Sequence, residues 1–404
     1  MVPTLLSLGE NSHAAARDAD KLVEQGWLSR NEPFAFWPTR VNPPGLVSKR
    51  DSDDWRRISD TGAPRCFQDD GAGGAIRSLN DAGDVNRRGT SGERLNPREI
   101  KPFVHEVVED AATIMCGAQL LGLRIFGLVD GFKAYFYQFV IHPSKYWRLN
   151  FVLAGSTGVP LVYTDLVMSM GLSVVTNLVQ RLSNAVIRHV LTLFDAEEEP
   201  IFAAIERDPD TPNEYRAWAE GRRRLAARFG VPCLLRLHSG FAFTDDNILL
   251  AAGEDRLARL LLCWLLVAER FRLHLADAAK LFIGQYLPYI SVALLLSLDV
   301  TCIPPAKIAR ALECLTRVAG GPAPTNAEMR SLDGLLVSFA SARRLPANMM
   351  YAMHASHGEH TLESSVHITR TLAMMQAAKS WIAFLERTVA ATWTTQRRRS
   401  SGRG

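Results

Sequence analysis

The sequence lacks the features that would place it in several common classes. Its six cysteines (Cys66, Cys116, Cys233, Cys263, Cys302, Cys314) form no C-x-x-C pair. They read as reduced thiols of an intracellular protein, in cytoplasm or nucleus, rather than as disulfides or zinc ligands. The most apolar stretch, Leu260 to Ala268, meets Glu269 and Arg270 long before it could span a bilayer, so no membrane partner is expected. No basic segment precedes the apolar residues of Met1 to Glu10, which argues against a secretory signal. There is no repeat of fixed period, and no strong charge of one sign. A net charge of +4 permits a nucleic-acid partner without demanding one. The spacing His354-x-x-His357-x-x-His360 sets the rings only partly on one helical face, and Gly358 weakens that helix, so exposed histidines are expected rather than zinc.

What is present is a globular composition with alternating β and helical patterning. Residues 1–30 read as a lead-in segment. Residues 31–100 are rich in Pro, Gly, Asp and Arg, with strand-like runs at Gly45-Leu46-Val47 and Trp55-Arg56-Arg57-Ile58-Ser59. Val104, Val107, Val108, Ala111, Ile114 and Met115 have helical spacing. A strand pattern from Arg124 to Val129 ends at Asp130. A β-rich run follows from Tyr146 to Leu153, then a turn at Gly158-Val159-Pro160. Residues 174–194 read as a buried helix. The acidic run Asp195, Glu197, Glu198, Glu199 breaks that pattern, and residues 195–232 read as a solvated helical insertion; its arginines (Arg222, Arg223, Arg224, Arg228) are alternatively a nucleic-acid contact. A strand pair near Phe241–Ala251 precedes a helix at 254–271. The C-terminal third is helical, with a capping box at Thr325-Asn326-Ala327-Glu328 and a disordered basic tail over 394–404.

Chemistry concentrates on three carboxylates. In Phe243-Thr244-Asp245-Asp246-Asn247-Ile248, adjacent acids sit between apolar residues, where repulsion and burial both disfavour ionisation. A hairpin tip that offers them to divalent cations removes the conflict, since magnesium takes oxygen ligands from one or two carboxylates and substrate phosphates. Asp130 ends a separate apolar strand. Nucleotidyl transfer by two cations needs carboxylates from separate strands, and Asp130, Asp245 and Asp246 supply that set.

The order of the surrounding segments resembles the reverse transcriptases. Asp130-x-x-x-Ala134-Tyr135-Phe136 resembles their motif A and Phe243-x-Asp245-Asp246 their motif C. Met168-Ser169-Met170-Gly171-Leu172-Ser173, with Gln180 beyond it, resembles motif B, although Met170 stands where the family usually has Gln. Lys49 to Arg56 resembles the fingers hairpin, continued by Arg57-Ile58-Ser59-Asp60, and Leu273-His274-Leu275 with Lys280 resembles motif D. The primer-gripping loop expected near Tyr289-Ile290-Ser291-Val292 is not assigned. Trp147-Arg148-Leu149-Asn150-Phe151 and Ser331-Leu332-Asp333-Gly334-Leu335-Leu336 look most like LTR and DIRS-type retrotransposon enzymes.

The resemblance implies an α+β right-hand polymerase with an antiparallel palm sheet, fingers and a helical thumb. Fingers and palm would occupy 31–300, with the insertion at about 195–232, and a thumb or connection-like region 301–393. It implies an RNA-directed DNA polymerase acting on a primer with an RNA or DNA template and on deoxynucleoside triphosphates. Asp130, Asp245 and Asp246 would hold two Mg2+ or Mn2+ ions. Lys49 and Arg56 would clamp the triphosphate, Tyr135 would exclude ribose, Gly171 would let backbone approach the nucleotide, and Lys280 would protonate pyrophosphate. Too little chain follows Trp381 for a ribonuclease H domain, so an isolated polymerase domain or a fragment is expected. The rival reading is a degenerate or domesticated fold of this family that binds nucleic acid without polymerising.

Overall fold

The computed structural model describes residues 12–30, 44–48, 55–59, 101–102, 104–154, 159–168, 173–230, 235–290, 292–343, 353, 367–387 and 390–392. Lys49, Gly171, the histidines 354, 357 and 360, most of the motif B segment and the basic tail lie outside them. The chain divides into two compact units, residues 1–100 with 132–183, and residues 101–131 with 184–404. Elements are numbered along the chain.

In the first unit, helix α1 (Ser12–Glu24) sets Ala15, Ala19 and Leu22 on one face, the i, i+4, i+7 pattern of a buried stripe. That stripe packs with Leu28, Phe151, Leu153 and Tyr163. The last four belong to an antiparallel sheet in which β6 (Pro160–Asp165) lies between β1 (Leu28–Arg30) and β5 (Asn150–Ala154). A separate hairpin pairs β2 (Pro44–Ser48) with β3 (Trp55–Ser59), so the segment expected to clamp phosphate connects two paired strands. Arg57 in β3 is buried in an ion pair with buried Asp165, its guanidinium 4.3 Å from the Phe151 ring centroid. Taking one partner from such a pair leaves the other charge buried and uncompensated.

The second unit is built on an antiparallel sheet of order β7-β8-β4-β9, formed by His238–Phe243, Asp246–Ala252, Ile125–Gly131 and Phe282–Gly284. Helix α2 (Val104–Leu120) buries all six of the positions that its spacing marks and covers one face through Val129, Ile248 and Leu250. Helix α5 (Glu254–Arg270) buries Leu257, Leu260, Trp264 and Val267. A second sheet, order β10-β11-β12-β13, comprises Tyr286–Tyr289, Val292–Leu295, Val300–Cys302 and Ala390–Thr392. Leu287, Val292 and Leu294 from it share the α2-side core.

Helix α3 is longer than its apolar pattern suggests. It runs from Ser173 to Arg207, beginning in the first unit and ending in the second, through the acidic run and Pro200. The run does not end the helix because distant arginines neutralise it. Glu198 is fully buried between Arg256 (2.5 Å) and Arg259 of α5, and Asp195 meets Arg236 and the His238 ring, 3.0 Å away. Helix α4 (Asn213–Phe229) stops at Gly230, whose φ of 65° gives the left-handed cap that glycine tolerates. It is not solvated all round: Tyr215 and Ala219 are buried, and Trp218 packs on the α2-side core.

The C-terminal helices α6 (Pro305–Ala319), α7 (Asn326–Arg343) and α8 (Leu372–Arg387) enclose a core around Leu315, Leu336, Phe339 and Trp381. The capping box forms as spaced. The Glu328 backbone N–H donates to Thr325 Oγ1 at 3.3 Å, and the Thr325 N–H donates to Glu328 Oε2 at 2.7 Å. Arg317, with those Thr325 donors, holds the Glu328 carboxyl down at about 2. Among the described residues, no helix is long and apolar enough to cross a membrane.

Gly127, in the middle of β4, lies close against Leu287 of the second sheet. A Cβ there would stand 2.5 Å from Leu287 Cδ1, 2.7 Å from Leu250 Cδ2 and 2.9 Å from the Leu249 carbonyl oxygen. The backbone oxygen cannot rotate away. Gly127→Ala is therefore expected to cost about 1–3 kcal/mol, the usual penalty of overpacking, as read from urea unfolding. An unchanged midpoint would show that the sheets separate freely here.

Candidate active site

The three carboxylates lie at one end of the β7-β8-β4-β9 sheet. Strands β7 and β8 are joined by a two-residue turn, Thr244-Asp245, closed by the Phe243↔Asp246 pair. Alongside, β4 pairs Gly131 with Asp246 and Asp130 with Asn247. Chain neighbours in a strand leave opposite faces of the sheet, while cross-strand partners share one. Asp130 and Asp246 therefore point to opposite faces, and Asp245, in the turn, is outside the alternation.

The contacts agree with this assignment. Asp130, 5% exposed, faces α5, where Trp264 Nε1 donates to its Oδ2 at 3.0 Å. Its Oδ1 accepts from the Gly131 N–H at 2.7 Å. Asp246 is exposed, and lies on the side where Tyr289 ends β10. Burial pushes the Tyr289 phenol up, and the Asp246 charge adds to the shift. The Tyr289 hydroxyl is buried and meets no hydrogen-bond partner among the described residues. The β10–β11 hairpin, which the sequence left unassigned, thus faces one of the carboxylates. Gly131 leaves space at the sheet end: a Cβ would lie 3.4 Å from the Asp245 carbonyl oxygen and 3.7 Å from Asp246 Oδ1.

Two other segments of this unit reach the same end. The Ala276 N–H donates to the Gly131 carbonyl at 2.7 Å, docking residues 273–280 against β4. Lys280 follows in a single exposed turn, Ala278–Lys280. The Lys101 ammonium lies 4.7 Å from the Phe243 ring centroid, a cation next to the hairpin that no motif marks. A separate concavity of about 460 Å³, bounded by Asp110, Arg222, Phe229, Arg236 and Ser239, includes none of the three carboxylates.

The remaining expected residues belong to the first unit. Tyr135 is buried, stacked on Phe132 with ring centroids 4.4 Å apart, and its hydroxyl accepts from Ser183 Oγ at 2.9 Å. Gln180 is buried in α3. Arg56 lies in β3 with its side chain outside the description, and Lys49 and Gly171 lie outside the described residues altogether.

Among solved structures, the chain matches two of foamy viral protease-reverse transcriptase. One, a form titled dRH in complex with double-stranded DNA, aligns over 94% of this chain and 48% of its own, with TM-score 0.52 and 11% identity. The other, also with double-stranded DNA, aligns over 96% and 59%, with TM-score 0.50 and 10% identity. The fold is that of a reverse transcriptase. The β7-β8-β4-β9 sheet is its antiparallel palm sheet, in an α+β chain that spans about half the length of the proteins it matches. No protein-family model and no curated protein matches the sequence.

The donor set suits a hard cation. Three carboxylates, with no Cys and no His in the two segments that carry them (129–136 and 243–248), favour magnesium or manganese over zinc. Among the described residues, no group of three acidic, His or Cys side chains converges closely enough to hold a metal. A cation here would take one or two carboxylates and complete its shell from phosphate and water, as magnesium ordinarily does.

The palm turn is strained. Thr244 is β-branched yet has φ 58°, a region that costs an L-residue about 1–2 kcal/mol. Glycine removes that cost and returns about 0.5–1 kcal/mol of it as entropy of the unfolded chain. Thr244→Gly is thus expected to raise stability by up to about 1.5 kcal/mol in denaturant unfolding, the difference of those two terms. A clear loss would show that the threonine side chain, not the backbone, holds the turn.

Proposed function

We propose that this chain is the polymerase part of an RNA-directed DNA polymerase, of the LTR or DIRS-type retrotransposon kind, working inside the cell in cytoplasm or nucleus. The observation that carries the reading is the pairing of β4 with the β7–β8 hairpin in a reverse-transcriptase fold, which sets Asp130 and Asp245 at one sheet end.

In this reading Asp130 and Asp245 hold Mg2+, or Mn2+ in its place, with Asp246 beside them. The ions, when bound, would make the primer hydroxyl easier to deprotonate and balance the charge of the triphosphate. The primer 3′-hydroxyl gives its proton to water, its oxygen forms a bond to the α-phosphorus of a deoxynucleoside triphosphate, the bond to the β-phosphate oxygen breaks, and pyrophosphate leaves. Lys280 gives that leaving group a proton. Lys49 and Arg56 hold phosphate oxygens, the arginine through its planar fork and the lysine as a mobile point charge. Gly171 lets backbone approach the nucleotide. Tyr135 excludes the ribose 2′-hydroxyl, and its stacking on Phe132 with a hydroxyl anchored at Ser183 gives the ring little freedom to yield.

A second reading has one observation in its favour. Asp130 is almost wholly buried, and no three acidic, His or Cys side chains converge to hold a metal among the described residues, which suits a fold that binds nucleic acid without polymerising.

Primer extension on poly(rA) primed with oligo(dT) separates the two. The wild-type chain is expected to extend the primer with Mg2+ or Mn2+, and Asp245→Asn to abolish extension with its circular dichroism unchanged. Wild-type inactivity with both ions supports the binding-only reading; full activity of the variant removes Asp245 from the site. Tyr135→Ala should raise ribonucleotide incorporation relative to deoxynucleotide, and an unaltered ratio would end the ribose-excluding role.

A further inference from the structure

Three acidic side chains are buried among the described residues: Asp130, Asp165 and Glu198. Burial of an ionised carboxylate is costly unless partners compensate it. Asp165 is compensated by Arg57, and Glu198 by Arg256 and Arg259. Asp130 is treated differently. No Arg, Lys or His side chain pairs with it among the described residues; its donors are the neutral Trp264 indole N–H and the Gly131 amide.

The difference has a chemical consequence. A guanidinium would neutralise the carboxylate and occupy the directions from which a cation approaches. A neutral donor fixes the plane of the carboxyl group without placing a competing cation on it. Each ionised carboxylate oxygen has about two acceptor directions. Trp264 and Gly131 fill one on each oxygen and leave one on each without a donor among the described residues.

Trp264 is suited to hold that plane. Its side chain is fully buried, in the stripe of α5 that also holds Leu260 and Val267, so the ring cannot turn its N–H away. A buried indole N–H ordinarily requires a partner, and Asp130 supplies it at 3.0 Å.

We propose that Trp264 is the positioning residue of the metal site, orienting the Asp130 side chain as a ligand for Mg2+. The role in catalysis rests on the polymerase reading above; the role in holding a cation does not. Trp264 touches no reacting atom and acts through Asp130.

The test uses the full chain and Trp264→Phe, which keeps an aromatic ring and removes the N–H. In primer extension, kcat is expected to fall about 10–100-fold, the range for removing a group that orients a metal ligand, and the Mg2+ concentration at half-maximal activity to rise. KM for dTTP and the Kd for primer-template should stay as in wild type, which a general loss of packing would not allow. A second readout needs no activity. In 15N-labelled wild-type chain, Mn2+ should broaden the indole resonance that Asp130→Asn shifts, and in Asp130→Asn itself the broadening should vanish. This arm needs no Trp264 variant, so it stands even if Trp264→Phe fails to fold.

Unaltered kcat and metal midpoint in a folded Trp264→Phe chain would overturn the proposal while leaving polymerase activity in place. The absence of Mn2+ broadening in wild type would overturn it equally. A wild-type chain without extension, whose indole is still broadened through Asp130, would remove the polymerase reading and keep the positioning role.

Discussion

Strand β4 is the constraint on which the second unit depends. It is paired on both edges, by β8 and β9, and covered by apolar side chains on both faces. Such a strand has no freedom of register, because a one-residue slip would exchange the sets of side chains that its two faces bury. Gly127 tightens the condition further, since Leu287 and Leu250 fill the space a side chain would need. With the register fixed, the polar end of the strand is fixed as well. Asp130 can stand only beside Asn247, and Gly131 only beside Asp246.

Much of this was readable from apolar spacing. Helix α2, strand β4, the β7–β8 hairpin and the Thr325–Glu328 box follow from local pattern, because each buries or caps itself through near neighbours. The end of α3 was not readable. Asp195, Glu197, Glu198 and Glu199 look like the end of a buried helix until Arg236, Arg256 and Arg259 are placed beside two of them, and nothing at short range predicts those partners. Arg57 is a similar case. In sequence it continues a phosphate-clamping segment; in the fold it is spent on Asp165, more than a hundred residues away. The β10–β11 hairpin was left unassigned because Tyr289-Ile290-Ser291-Val292 matches the expected gripping loop poorly. Ile290 takes φ 41° there, a conformation that residue choice alone would not suggest.

For the candidate site, the sequence marks three carboxylates but says little of their arrangement. The sequence supplies three carboxylates in family order, and the structure brings their strands together at one sheet end. What spacing could not convey is that alternation divides them. Asp130 faces the α5 side and Asp246 the opposite one, where the buried Tyr289 hydroxyl lies. The donors that hold Asp130 were equally invisible, since Trp264 reads in sequence as one more apolar residue of a helical stripe.

The strained turn follows from the same division. Two adjacent carboxylates within a strand cannot both address one cation, because successive side chains leave opposite faces. An acid on the neighbouring strand shares a face with only one of them. The position exempt from alternation is the turn, and Asp245 occupies it. Making that turn with two residues requires one at positive φ, as hairpin turns of this length generally do. Thr244 supplies it at φ 58° although glycine would do so at lower cost. Strain retained at a buried position beside a charged tip is the pattern expected where geometry matters more than stability. The turn, not the carboxylate pair by itself, is what frees one acid of this hairpin from the alternation that separates Asp246 from Asp130.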